Sequence, residues 1–238
     1  KGALMALPIQ WIPRHPTLQS YRKVFSLFPF GKAILNSLFV SITFTVITVL
    51  SSSMAAFAIA KIRFKGAGVF FRMYLMSMMI PTQITLIPLF IIMSRLNLTN
   101  TYTSVISPSI FSAFSIFLLV QNLRSLPDDF MEAARIDGAS LWTAFFRVIM
   151  PMEKPVLATM VITTFMGAWN DYLWPLVMLS DKNKMTLTLA LNTLNGQYGT
   201  EYNVLMAGCL ISMIPIIVVY IIAQTQMKQG ITAGGVKG

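Results

Sequence analysis

AILNSLFVSITFTVITVLSSSMAAFAIA, residues 33–60, contains no Asp, Glu, Lys, Arg or His. A helix rising 1.5 Å per residue needs about 20 apolar residues to cross a hydrocarbon core of about 30 Å. This stretch exceeds that length. Three more uncharged runs follow, Met73–Ser94, Leu96–Leu123 and Tyr202–Met227, and Pro155–Ser180 carries Asp171 as its one charge. Only 11% of the 238 residues are charged, against about 25% in ordinary soluble domains. A soluble bundle buried in its own core would scatter charge along most of its helices, whereas here charge collects between the runs. The pattern predicts an all-α, polytopic helical membrane protein with five spans near 35–60, 73–94, 104–122, 155–179 and 203–226.

The formal net charge of +10 follows from the residues that flank the spans. Lys61, Arg63, Lys65 and Arg72 join the first two; Arg124, Arg135, Arg147 and Lys154 lie between the third and fourth; Lys228 and Lys237 follow the fifth. These ten stand against Arg95, Lys182 and Lys184 on the other side. The positive-inside bias therefore orients 61–72, 124–154 and the C-terminus toward the cytoplasm. Residues 1–32 then form an external leg, although they hold Lys1, Arg14, Arg22, Lys23 and Lys32. An external leg that begins with Lys rather than Met predicts a missing first span ahead of it, with 33–238 as the transmembrane domain and 124–154 as its cytoplasmic loop. Nucleic-acid binding would need a basic face with base-stacking aromatics, which the sequence does not offer. Cys209 and His15 are each the only residue of their type, so no disulfide framework, metal cluster or histidine-based catalysis is expected.

Within the spans, polar residues and prolines stand out. MYLMSMMIPTQITLIPLFIIMS, 73–94, holds Pro81 and Pro88 seven residues apart. Each proline lacks an amide donor and clashes with the preceding turn, so two bends on one face are expected. Gln83 and Thr85 would then line a polar substrate path, unless the prolines merely reflect their frequency in membrane helices. The methionines here suit adaptable packing better than a metal relay, which needs convergent ligands. In TFMGAWNDYLWPL, 164–176, Asp171 lies sixteen residues past Pro155, about 24 Å along a helix and near the outer face. Trp169 and Trp174 fit an interfacial aromatic belt. Asn170 and Asp171 either contact a hydroxyl-rich substrate or an external gate, or hydrogen-bond between helices.

DDFMEAARIDGASLWTAFFRVIMP, 128–151, holds four of the eight acidic residues, and Glu153 follows two positions later. Ser125 and Asp128 have capping-box spacing, and Asp128 and Asp129 complement a helix N-terminus. A short helix over 128–137 is expected, with Phe130, Met131 and Ala134 on one side. Gly138 suits a left-handed terminator. Ser140 can cap a second helix in which Leu141, Phe145 and Val148 or Ile149 recur at helical spacing, stopped by Pro151 and Pro155. Helices that lie on lipid are usually Lys/Arg-rich on the polar face, but 128–137 holds four acids and one base. A protein partner fits better. The small Ala133 and Ala134 would allow close approach, and Glu132 and Arg135 would supply polar contacts.

EAARIDGASLWTAFFRVIMP resembles the EAA loop of permease subunits in binding-protein-dependent ABC importers. The family pattern falls on Glu132, Ala133, Ala134, Gly138, Val148, Met150 and Pro151, with Val148 standing for Ile and Met150 for Leu. WIPRHPTLQSYRKVF, AWNDYLWPL and QGITAGGVKG are similar to the carbohydrate-uptake branch, specifically the second permease of maltose-type sugar importers. The resemblance implies six spans in the intact subunit and an ATPase-coupling role for those loop residues and Arg135. It implies a homologous permease partner, two cytoplasmic ATP-binding subunits that hold ATP and Mg, and an extracytoplasmic solute-binding protein. The location implied is a bacterial or archaeal cytoplasmic membrane. Gly230 and Gly235 have phosphate-loop separation, but Val236 stands where the Lys would be, so no nucleotide site or cofactor is expected in this chain. An ion-coupled transporter or channel is the rival, yet four of the five spans lack any titratable charge of the kind such pathways bury. A membrane enzyme would need an acid–base pair or metal site that these residues do not assemble.

Overall fold

The computed structural model describes residues 17–62, 64–197 and 201–234, which form helices and connecting loops without a strand. The N-terminal part of the leg, with Lys1, Arg14 and His15, lies outside the described residues, as do Arg63, Gly235 and Val236. The helices, in order, are α1 (Gln19–Leu27), α2 (Phe30–Lys61), α3 (Ala67–Ser77), α4 (Thr82–Arg95), α5 (Tyr102–Ile106) and α6 (Ala113–Ser125). They continue with α7 (Asp129–Ile136), α8 (Leu141–Met152), α9 (Lys154–Asn170), α10 (Leu173–Met178), α11 (Leu187–Gln197) and α12 (Tyr202–Gly234).

α2 is the central post. Its 32 residues give a length of about 48 Å, and it lies against both α6 and α9. Its length carries Ser37, Ser41, Thr45, Thr48 and Ser52, all buried. Small hydroxyl side chains let membrane helices approach closely, and Thr45 satisfies its own hydroxyl by donating to the Ser41 carbonyl at 2.6 Å. Leu35, Phe39, Ile42, Val46, Leu50 and Met54 are exposed. Polar-in and apolar-out is the arrangement that a hydrocarbon solvent favours.

Phe30–Lys61, Tyr102–Ser125 and Tyr202–Gln224 are each long and apolar enough to cross a membrane. Two bent pairs, α3 with α4 at 102° and α8 with α9 at 83°, raise the number to five if each pair counts as one span. This is the multi-pass helical architecture expected from the uncharged runs. Four details differ. The expected second span is broken rather than merely bent at Met78–Pro81, while Pro88 sits inside α4. Before the break, successive amides tighten to i−3 carbonyls, ending with Ile80 on Ser77 at 3.2 Å. Pro81 then adopts an extended backbone, and a proline disfavours helix in the residue ahead of it. The third run is also interrupted, by a 3-10 turn at Ser107–Ser109 between α5 and α6. The fourth ends at Asn170 and restarts as α10. Finally, α1 and α11 are helices that hydrophobic periodicity did not separate from loops.

Trp169 and Trp174 each tie two elements together. Trp169 is 2% exposed, and its indole N–H donates to the Ser212 carbonyl in α12 at 3.1 Å. Trp174 reaches the Ser104 carbonyl in α5 at 2.9 Å.

Candidate functional site

The acidic loop folds back beneath the end of α2. After α6 the chain turns extended at Leu126, passes Pro127 and starts α7. The capping box does not form. The Ser125 hydroxyl donates backward to the Asn122 carbonyl at 2.7 Å, and Asp128, at the N-cap position, makes no side-chain capping bond. Its carboxylate is engaged by a lysine instead: Lys61 Nζ donates to Asp128 Oδ1 at 2.8 Å and to the Leu126 carbonyl at 2.7 Å.

α7 stands on a buried foot and presents a free face. Met131 and Ala134 are buried in one apolar cluster with Phe57, Leu123, Phe145 and Ile149. Glu132, Ala133, Arg135, Ile136 and Asp137 are exposed, Ile136 at 86%. Of the two alanines expected to face a partner, Ala133 faces out and Ala134 anchors the helix from beneath. Phe130, expected on one side with Met131 and Ala134, is instead 41% exposed while those two are buried. Asp129 and Glu132 near the N-terminus and Arg135 near the C-terminus match the helix dipole.

Gly138 terminates α7 with φ +73°, a conformation with a steric cost for any residue that has a Cβ. The Ala139 amide reaches back to the Ala134 carbonyl at 2.9 Å, which closes the turn. Ser140 caps the next helix through the Thr143 amide at 3.2 Å, as its spacing implies. α8 is then π-helical over Ala144–Ile149. Such widening often marks functional segments, and here it turns Phe145 and Ile149 fully inward while Leu141 points out. Val148 and Met150 are half-buried and Pro151 is exposed. Pro151 remains within the helical segment, and the direction changes at Glu153.

Glu153 lies at that hinge, 4% exposed. Burial pushes its carboxyl up to about 7, opposed by the positive charge of Lys61 nearby. Reading along the chain did not pair Lys61 with this loop, because 67 residues separate it from Asp128. Its place at the end of an uncharged run, in a chain that gathers its carboxylates at 128–153, was the available signal.

The candidate path residues lie on other elements. Gln83 and Thr85 are exposed on α4, and the Thr85 hydroxyl donates to the Thr82 carbonyl at 2.9 Å. Asn170 is exposed, with its amide on the Met166 carbonyl at 2.9 Å. Asp171 bridges the break after α9, where its carboxylate accepts from the Trp174 amide at 3.4 Å.

A family model described as the binding-protein-dependent transport system inner membrane component matches residues 47–233, from α2 through the acidic loop to α12. The chain belongs to this family. It is thus a permease component of a transport system, and the ion-coupled rival is not favoured. This permease is 41% identical to the arabinooligosaccharides transport system permease protein AraQ of Halalkalibacterium halodurans, over 85% of this chain and 73% of that one. It is 36% identical to the sn-glycerol-3-phosphate transport system permease protein UgpE of Pectobacterium atrosepticum, over 85% and 73%. The sulfoquinovosyl glycerol transport system permease protein SmoH of Agrobacterium fabrum is 32% identical over 100% of this chain and 84% of its own. A solved bacterial ABC transporter involved in the import of alginate, an acidic polysaccharide, superposes with a TM-score of 0.84 at 26% identity. That match covers 94% of this permease and 84% of the solved chain.

Proposed function

We propose that this permease imports a sugar or sugar derivative and that α7 is the handle by which separate ATPase subunits drive it. One observation carries the reading: Glu132, Ala133, Arg135, Ile136 and Asp137, on and just after α7, face outward over a buried foot of Met131 and Ala134, with Ile136 at 86% exposure among polar neighbours. An apolar side chain held out by a rigid support suits an apolar pocket in a partner. Exposed Glu132, Arg135 and Asp137 would fix its register by polar contacts at the rim.

In this reading the loop 124–154 and the C-terminus face the cytoplasm, where two ATP-binding subunits each receive one coupling helix, from this permease and from a homologous partner. ATP, with its Mg, is bound and hydrolysed on those subunits; this chain contributes displacement. Closure of the ATPases moves α7, and the buried foot passes the motion to α2 and α6. The transmembrane path then changes its side of access to receive sugar from an external binding protein. The names of the relatives, which span arabinooligosaccharides, glycerol phosphate and a sulfonated glycoside, support a polyhydroxylated substrate. Gln83, Thr85, Asn170 and Asp171 are the polar candidates for contact with it.

The test uses the purified complex in proteoliposomes. Glu132→Lys is expected to abolish binding-protein-stimulated ATP hydrolysis together with uptake, and a cysteine at Ile136 to crosslink to an ATPase subunit. Unchanged stimulation and no crosslink in any nucleotide state would overturn the assignment.

A further inference from the structure

Lys61 stands apart from the family pattern of the loop, yet it is the one lysine whose side chain is 2% exposed in an ion pair, among the described residues. It is the last residue of α2 and complements the negative end of that helix dipole. Its ammonium contacts the Leu126 carbonyl, where α6 ends, and the Asp128 carboxylate, where α7 begins. Its charge also acts on the carboxyl of Glu153, where α8 meets α9. One turn earlier on α2, the Phe57 ring meets Phe145 of α8 with centroids 5.2 Å apart. The end of α2 therefore touches the loop twice, through polar contacts at its start and an aromatic contact on α8.

We propose that Lys61 is a positioning residue for coupling: it pins the start of α7 to the end of α2, so that displacement of the handle moves the central span. This rests on the coupling role of α7 but assigns that role a second component, transmission, which is separable from docking. A buried lysine is costly to desolvate, and an apolar replacement of similar volume is often as stable. Apolar contact between Met131, Ala134 and the core resists separation but lets surfaces slide. Two short charge-assisted bonds fix direction and register, which a link that must transmit a small displacement requires.

The experiment measures three quantities on the purified complex: ATPase subunits retained, binding-protein-stimulated ATP hydrolysis, and sugar transported per ATP. Lys61→Met, combined with Glu153→Gln to avoid an uncompensated buried acid, should retain the ATPase subunits. Transport per ATP should fall roughly tenfold, as expected for loss of a charge-assisted contact from the moving link. Lys61→Arg should restore most of the ratio. Asp128→Asn, at a half-exposed position that carries little folding risk, should lower the same ratio in the same direction. A normal ratio in the Lys61→Met/Glu153→Gln and Asp128→Asn proteins overturns the proposal. So does loss of the ATPase subunits in step with the ratio, which would make Lys61 only a support for the loop. If the Lys61 variants do not fold, the Asp128→Asn ratio decides alone. Glu132→Lys run in parallel reports on docking itself: if it leaves crosslinking and stimulation intact, the coupling role of α7 fails, whatever Lys61 does.

Discussion

Lys184 donates its ammonium to the backbone carbonyl of Asn100 at 2.8 Å, across 84 residues of chain. Asn100 is a junction at the end of the bundle away from α7. Its own amide donates to the Met178 carbonyl at 2.7 Å, and its side-chain oxygen accepts from the Ser180 and Asp181 amides at 3.2 and 3.1 Å. Its φ of 59° lies in the left-handed region that asparagine tolerates better than most residues. These bonds hold the loop after α4 against the loop after α10. Asn100→Ala removes the side-chain acceptor and retains the backbone strain, and is expected to cost about 2–3 kcal/mol. Asn100→Gly relieves the strain and should cost about half as much. Thermal unfolding of the detergent-solubilised protein checks the order of the two.

Glu153 gives the permease a pH-dependent stability. Its carboxyl is raised from an ordinary value near 4.5 to about 7, so the folded chain holds this proton more tightly than the unfolded chain. The resulting stabilisation is complete below about pH 4.5 and is lost as pH rises through 7. Glu153→Gln, which mimics the protonated acid, should match the parent protein at about pH 4 and exceed it at about pH 8 by about 1–3 kcal/mol. Paired melting curves at the two pH values measure this; equal differences at both would show that the site does not titrate in that range.

Gly138 is replaceable in volume but not in backbone. A Cβ built there meets nothing within 4 Å, while φ is +73°. Gly138→Ala should therefore disturb the α7–α8 turn by about 1–2 kcal/mol through conformation alone. Gly138→Asn should be milder, since asparagine already occupies this region at Asn97 and Asn100 in the same chain. Transport per ATP should rank glycine, asparagine, alanine. A ranking by side-chain size instead would place a partner's surface against the turn.

The parts legible in the sequence were those governed by local rules. Uncharged runs located the membrane-crossing material, since burial of charge in hydrocarbon is costly wherever it occurs. The Gly138 terminator and the Ser140 cap were readable because each needs only its nearest neighbours. The capping box over Ser125 and Asp128 failed for a non-local reason: Lys61 competes for the Asp128 carboxylate, and nothing in the spacing reveals a partner 67 residues away. Trp169 read as an interfacial residue from its place near the end of a run; its bond to a carbonyl of α12 was not visible there, because the partner lies 43 residues on. α11 was missed because the alternation of Leu and Thr at its start has the period of a strand rather than of a helix, and its helical form goes with packing against α2 and α12.

Gly208 lies where α12 meets α11 and the start of α2. A Cβ placed there would sit 2.7 Å from Cδ2 of Leu191 and 3.5 Å from Cζ of Phe30. The two obstacles differ in compliance. The leucine methyl is the end of a flexible, half-buried side chain, whereas Phe30 is fully buried at the start of α2 and edge-on to Phe25, with centroids 5.6 Å apart. Gly208→Ala should therefore displace Leu191 by a rotamer change, offset by the better helix propensity of alanine, about 1 kcal/mol. The net change should lie within about 1 kcal/mol of zero. Gly208→Ile extends past Leu191 into the Phe30 ring, where no rotamer relieves the overlap without shifting α2. It should cost about 3 kcal/mol or more. Melting temperatures of the two variants in detergent distinguish this from a loosely packed crossing, in which both would unfold like the parent protein. A double variant with Leu191→Ala tests the assignment of the obstacles: it should restore room for alanine but leave isoleucine destabilising, because the phenylalanine remains.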